Sequence, residues 1–176
     1  MQTIPRLQLQ HMVRSSSQQF VIETSTARKQ RNEELGIRTL NQYVILQKIG
    51  EGSFAKVKLV HVSNNPDELY AMKVVKKEVK KRIQKTFRGN PKAKEIAQQE
   101  SINKEVALLK KTFHPNIIRL YEVIDDRSLQ KLYMILEFVK GGPCFSINQE
   151  PMNEEDARMC FRDITAGISY KQYCSP

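Results

Sequence analysis

Two glycines, one lysine and one glutamate are the residues of this chain whose types and order suggest chemistry. Gly50 and Gly52 lie in a short glycine-rich turn, Lys73 follows Gly50 by 23 positions at the end of a predicted strand, and Glu105 lies on a predicted helix. Glycine turns let backbone N–H groups approach phosphate oxygens, and a lysine adds a point cation. A glutamate that orients this lysine would complete a polyphosphate site, which we therefore predict here.

The residues after the two glycines separate the possible classes of phosphate-binding loop. A Gly-x-Gly pair alone is weak, because dinucleotide-binding folds contain it as well. Their fingerprint opens a helix, whereas residues 57–62 alternate as a strand, and no Gly-Lys-Ser/Thr follows as a Walker loop requires. A hairpin bent over phosphates is therefore favoured, and a dinucleotide-dependent enzyme is the weaker alternative. A turn glycine, a surface lysine and a solvated glutamate are each ordinary alone.

Five strands and two helices are predicted to position these residues. Runs of β-branched and aromatic residues indicate strands at 43–49, 57–62, 69–75, 117–124 and 132–139. Helical spacing and the stop at His114-Pro115-Asn116 indicate a helix before that motif, with apolar positions Ile96, Ile102, Val106 and Leu109. A last helix opens at Asn153 and carries an apolar stripe of Ala157, Phe161, Ile164 and Ile168. The predicted fold class is α+β.

Composition divides the chain into three parts. Residues 1–41 are rich in Ser, Thr and Gln and show no sustained apolar period, so we predict a mostly disordered extension. Residues 42–139 form the predicted sheet lobe, interrupted by a basic insertion at 76–98, and residues 140–176 follow it. With 176 residues and 20.4 kDa, one ordinary domain and a tail can be accommodated.

Charge and hydropathy exclude several functional classes. The net charge is +10, but residues 73–94 hold ten Lys or Arg against one acid, so the basicity is local. Such a strip predicts docking of a protein rather than a nucleic-acid surface.

No apolar run is long enough to span a bilayer and no signal peptide is recognisable, so we expect a soluble intracellular protein without membrane contact. The expected free thiols are Cys144, Cys160 and Cys174.

The ordered set of motifs resembles the N-terminal lobe of a eukaryotic serine/threonine protein kinase. Residues 49–57 match the glycine-rich loop, and Ala71-Met72-Lys73 matches the strand motif of the nucleotide-binding lysine. Within that superfamily, the sequence resembles the calcium/calmodulin-dependent protein kinase kinases. The features behind this choice are Leu40-Asn41-Gln42-Tyr43, the basic insertion, the run 105–111 before His114-Pro115-Asn116, and the run 132–139 before Gly142-Pro143.

The resemblance implies ATP as the ligand, with magnesium, and a role for each matching residue. Lys73 would bind the α- and β-phosphates and Glu105 would orient it. The loop residues over the nucleotide would be Ile49, Gly50, Glu51, Gly52, Ser53, Phe54 and Ala55. The adenine would be covered by Val57 and Ala71, with Leu136 as gatekeeper and the backbones of Glu137 and Val139 at its edge. Leu109 and Leu120 would join the hydrophobic spine.

The sequence departs from the family pattern in three places. Ala55 replaces the third loop glycine, and Gly142-Pro143 replaces the ribose-binding acid of many kinases. After Tyr170 the family continues into the catalytic loop and the Asp-Phe-Gly segment, whereas this sequence ends six residues later. We therefore expect a truncated kinase, cytoplasmic or nuclear, that is inactive alone and has its last helix stripe exposed. The alternative is a kinase-like binding module that docks a substrate kinase or regulatory protein through residues 76–94.

Overall fold

The computed structural model describes residues 20–53, 55–77, 91–144 and 150–174. These residues form one mixed sheet and two helices. The strands are β1 (Ile22–Thr24), β2 (Lys29–Arg31), β3 (Arg38–Leu40), β4 (Tyr43–Glu51), β5 (Ala55–Val62), β6 (Asn65–Lys76), β7 (Leu120–Ile124) and β8 (Lys131–Glu137). The helices are α1 (Pro91–Lys111) and α2 (Glu154–Cys174). Most of the predicted basic insertion, residues 78–90, lies outside the described residues.

Strands β4 to β8 and helix α1 confirm the predicted sheet and helix. These five strands have the spatial order β7-β8-β6-β5-β4, and each pair of neighbours within this set is antiparallel. Strand β7 begins at Leu120 rather than Ile117, because the Ile117 N–H donates to the His114 carbonyl at 3.1 Å and closes a turn there. Helix α1 begins at Pro91, within the predicted insertion 76–98.

The prediction of a disordered extension is wrong for residues 20–41, which we call the N-terminal strap. Strand β1 pairs in parallel with β7, and β2 and β3 form a hairpin beside β4. The polar composition was misleading because the three residues of β2 are exposed, where Lys, Gln and Arg side chains are compatible with a paired backbone. The Leu40 side chain, in contrast, is only 1% exposed. Residues 1–19 lie outside the described residues.

The sheet is curled, and the strap brings its two ends together. Strands β1 and β2 lie at opposite ends of the eight-strand order, yet only residues 25–28 connect them. Such a segment spans at most about 17 Å, whereas seven strand spacings of a flat sheet would span roughly 33 Å. The sheet therefore has a concave face inside the curl and an opposite face, the helix side, which packs against α1.

Each face of the sheet has its own buried cluster. The concave cluster joins β3 to the central strands and to β7 and consists of Leu40, Tyr43, Val60, Met72, Ile124, Tyr133 and Ile135. The helix-side cluster packs α1 on the sheet and consists of Val75, Ile102, Val106, Leu120, Val123, Leu132 and Met134. Alternation of side chains along each strand separates the two sets, which is why one strand can serve both cores.

Helix α2 packs with its C-terminal part against the turn that follows α1. The Phe113 N–H donates to the Tyr170 hydroxyl at 3.1 Å, and a Cβ atom placed on Gly167 would lie 3.2 Å from the Asn116 carbonyl oxygen. The predicted exposed stripe is confirmed, with the Phe161 side chain 72% exposed.

Among the described residues, neither helix is long and apolar enough to cross a membrane. Within the same part of the chain, two cysteines are free thiols, Cys144 and Cys160.

Candidate functional site

A lysine and a glutamate separated by 32 positions form an ion pair between β6 and α1. The Lys73 Nζ atom lies 2.5 Å from the Glu105 Oε1 atom. Lys73 points to the helix side because it pairs across β5 with Val57 and across β8 with Met134. The Lys73 side chain is 26% exposed and that of Glu105 is 44% exposed, so water or a ligand can still reach the ammonium. The structure thus joins the two residues that the sequence singled out.

The glycine-rich turn joins β4 to β5, the strand that pairs with the Lys73 strand. Gly50 pairs with Val57, and the Gly52 N–H donates to the Ala55 carbonyl at 2.8 Å to close the turn. A Cβ atom on Gly50 would contact the Val57 side chain at 3.5 Å. A strand follows the turn, as the hairpin prediction required, so no helix N-terminus meets a phosphate here as in a dinucleotide-binding fold. Phe54 lies outside the described residues.

The acid of this turn is held by two lysines. The Glu51 carboxylate lies 2.7 Å from the Lys48 Nζ atom and 2.7 Å from the Lys56 Nζ atom. Hydrogen bonds from Lys48 and Lys56 lower the pKa of Glu51 to about 2, against an ordinary value of 4.5. All three side chains are largely exposed, so the pairs bind the two strands of the hairpin only weakly. Both ion pairs join side-chain atoms.

Three of the residues predicted around the adenine, Val57, Ala71 and Leu136, lie on the helix-side face, whereas the register places the Glu137 side chain on the concave face. Ala71 is buried and pairs with Leu136 of β8, and Val57 is half-buried on β5. The Glu137 N–H donates to the Arg119 carbonyl at 2.9 Å, and the Glu137 carboxylate accepts a hydrogen bond from the Arg119 N–H at 3.2 Å. Beyond the strand, Val139 is half-exposed and its carbonyl accepts a bond from the Gly142 N–H.

Helix α1 is fixed on the sheet by apolar contacts near Glu105. Ile102 and Val106 are buried in the helix-side cluster, Leu120 is fully buried in it, and Leu109 packs at its border. Residues three and four apart on a helix share a face, so Ile102, Glu105 and Val106 point toward the sheet together. The orientation of Glu105 toward Lys73 is therefore set by the core and not by the ion pair alone.

A second paired glutamate, Glu122 on β7, was missed from the sequence. Its side chain is 2% exposed and lies on the concave face, where the Thr24 hydroxyl, the Gln42 amide at 2.9 Å and the Tyr43 hydroxyl at 2.6 Å donate to it. Burial, and next the bond to Glu122, raise the pKa of Tyr43. The sequence did contain a signal for this residue, because Glu122 is an acid inside the apolar run 120–124. A buried carboxylate requires hydrogen-bond donors.

Comparison with known protein families agrees with the fold. The family model described as the protein kinase domain matches residues 43–172, which is most of this chain. The chain therefore belongs to the protein kinase family. In that alignment β4 to β8 and α1 make up the N-terminal lobe, and α2 is a helix of the C-terminal lobe.

Three curated relatives are protein kinases by name, and two of these names specify serine/threonine. The calcium/calmodulin-dependent protein kinase kinase of Caenorhabditis elegans is 39% identical over 145 residues, or 76% of this chain. The serine/threonine-protein kinase ssp1 of Schizosaccharomyces pombe is 37% identical over 155 residues (87%), and a probable serine/threonine-protein kinase of Dictyostelium discoideum is 36% identical over 148 residues (84%). The chain spans 26%, 23% and 20% of the length of these three relatives, respectively. The predicted similarity to the kinase kinases is thereby confirmed.

Proposed function

We propose that the described residues form the ATP-binding part of a serine/threonine protein kinase. The observation that carries the proposal is the ion pair between Lys73 and Glu105, in a sheet whose register pairs Lys73 with Val57 and Val57 with Gly50. An ammonium that is held by one carboxylate and is still partly exposed is complementary in charge to the triphosphate of a nucleotide. Protein phosphorylation as the activity of the whole polypeptide is part of the same proposal.

The donor set at the turn fits the phosphates and the base of ATP. Gly50 and Gly52 allow the backbone of 51–53 to approach phosphate oxygens, while Lys73 neutralises charge between them. The half-buried apolar side chains Val57 and Leu136, with buried Ala71, offer a surface for a flat aromatic base. ATP, when bound, supplies the phosphoryl group, and these residues bind and orient it.

Magnesium is used by protein kinases as a family. Within the described ranges, no group of three or more His, Cys, Asp or Glu side chains is arranged to hold a metal ion. We therefore assign no magnesium ligand to these residues, and the role proposed for them is nucleotide binding.

A titration of the full chain with a fluorescent ATP analogue tests the proposal. We expect saturable binding that Lys73→Met weakens by about tenfold or more, because one charge-assisted contact to phosphate is lost. The matched control is Lys111→Met, which removes an exposed lysine from the end of α1 and should leave binding unchanged. Equal affinities of the two variants would overturn the proposed role of Lys73.

Circular dichroism of each variant is the second measurement, since it separates a lost ligand contact from a lost fold. Lys73→Met should keep the spectrum of the unaltered chain, because the removed ammonium is partly exposed and its aliphatic stem is replaced by one of similar length. Absence of analogue binding by the correctly folded unaltered chain would overturn the proposed function as a whole.

A further inference from the structure

A pocket lies on the concave face, on the opposite side of the sheet from Lys73. It has a volume of about 290 Å³, and its walls are the β2–β3 hairpin and the facing parts of β5, β6 and β8. Its base is apolar and includes Ile45, Val74 and the ring of Tyr133. Five basic side chains line it, namely Lys29, Arg31, Arg38, Lys58 and Lys131.

The strand register places two of these cations, Arg31 and Arg38, opposite each other. This placement is unfavourable for like charges. Lys58 of β5 points to the same face and is half-buried. Burial, and then the charges of Arg38 and Lys131, lower the pKa of Lys58. The pocket therefore holds several positive charges that repel one another.

No acid compensates these charges in the described part of the chain. None of the residues lining the pocket is Asp or Glu, and none of the ion pairs between described residues includes one of the five cations. Lys29 lies over the Tyr133 ring, 5.6 Å from its centroid, and so borders the apolar base. A bound anion would remove the repulsion, which gives an anion a favourable free energy of binding here.

We propose that this pocket binds a phosphorylated serine or threonine side chain of a protein segment. Arginine is the side chain best suited to a phosphate dianion, because its planar fork donates two parallel hydrogen bonds, and Arg31 and Arg38 supply two forks at one point. The apolar base offers contact to the residues beside the phosphate. A nucleic-acid backbone would need cations along an extended track, whereas these five surround a single recess.

The test uses the full chain and a fluorescent peptide that carries one phosphoserine between leucine residues. We expect binding by fluorescence anisotropy, and a loss of about tenfold or more when Arg38→Gln and Lys58→Gln are combined, since two charged contacts disappear. The matched control, Lys111→Gln, removes an exposed lysine from α1, outside the pocket. It should bind the peptide as the unaltered chain does.

Two melting-temperature measurements test the charge repulsion and the anion binding in the pocket. Without ligand, the double variant should melt at the same or a higher temperature, because like charges have been removed from one recess. Inorganic phosphate should raise the melting temperature of the unaltered chain more than that of the double variant. The proposal is overturned if the unphosphorylated peptide binds equally well, if the double variant binds as well as the control, or if only a single-stranded oligonucleotide or anionic phosphatidylserine vesicles bind at the pocket.

Discussion

The two faces of the curled sheet each hold a glutamate that tethers a distant segment, in opposite environments. On the helix side, Glu105 is 44% exposed and faces a cation, Lys73. On the concave side, Glu122 is 2% exposed and is bound by three neutral donors, from Thr24, Gln42 and Tyr43. The comparison teaches that an accessible ion pair is available for a ligand, whereas a fully enclosed carboxylate serves to hold the fold together.

Replacing Glu122 should have the largest effect on stability. Glu122→Ala leaves the buried Tyr43 hydroxyl, the half-buried Thr24 hydroxyl and the Gln42 amide without this acceptor, so we expect a loss of about 3 kcal/mol in the free energy of unfolding. Urea denaturation followed by circular dichroism measures this loss. Glu122→Gln keeps one acceptor oxygen and should lose less. A free energy within experimental error of the unaltered chain would show that the strap is not held by this carboxylate.

Replacing Glu105 should affect the ligand rather than the fold. Glu105→Gln releases the Lys73 ammonium from its fixed position, so we expect affinity for a fluorescent ATP analogue to fall by roughly three- to tenfold. Because the pair is partly solvated, the free energy of unfolding should change by less than about 1 kcal/mol. If this variant unfolds as readily as Glu122→Ala, the contrast between the two faces is wrong.

Alkaline pH should loosen the concave face first. Burial, and next the hydrogen bond to Glu68, raise the pKa of Tyr70 to about 12 from 10.0, and the pKa of Tyr43 is also raised. A raised tyrosine pKa contributes stability that is fully present below pH 10 and is lost as pH rises through the folded value. Urea midpoints should therefore fall from about pH 10 to 12. Tyr70→Phe should reduce this slope, and an unchanged slope in that variant would exclude Tyr70 as its source.

The smallest effect is expected at the glycine turn. Glu51→Gln removes both lysine pairs, but all three side chains are exposed, so thermal unfolding at neutral pH should be almost unchanged. The lowered pKa of Glu51 means that any contribution exists above pH 4.5 and disappears as pH falls toward 2. Melting curves across that range, with and without high salt, measure it. A large salt-independent difference would show that the turn is more enclosed than these exposures indicate.

The residues of the proposed nucleotide site could be selected from the sequence because each has a local signal. Gly50 and Gly52 lie in the turn between two predicted strands, and Lys73 lies at the end of a third. Glu105 borders the apolar helix positions Ile102 and Val106. Their order along the chain then matches a known family. The helix boundaries and the strand centres follow from the same periodicity.

The strap and the basic pocket could not be read in this way. Strand β1 has three residues and its partner β7 lies far along the chain, so no local period marks the pairing. Arg31 and Arg38 become neighbours only through the hairpin register, and Lys58 joins them only through the curl of the sheet. Polar side chains on edge strands have the composition of a disordered tail.

The parallel pairing of β1 with β7 also sets an order of events during synthesis. Ile22 faces Glu122, one hundred residues later in the chain, so β1 leaves the ribosome well before its partner β7 is synthesised. At common translation rates this delay is roughly 5–20 s. During that interval residues 22–24 present an unpaired edge, open to a chaperone or to a neighbouring nascent chain.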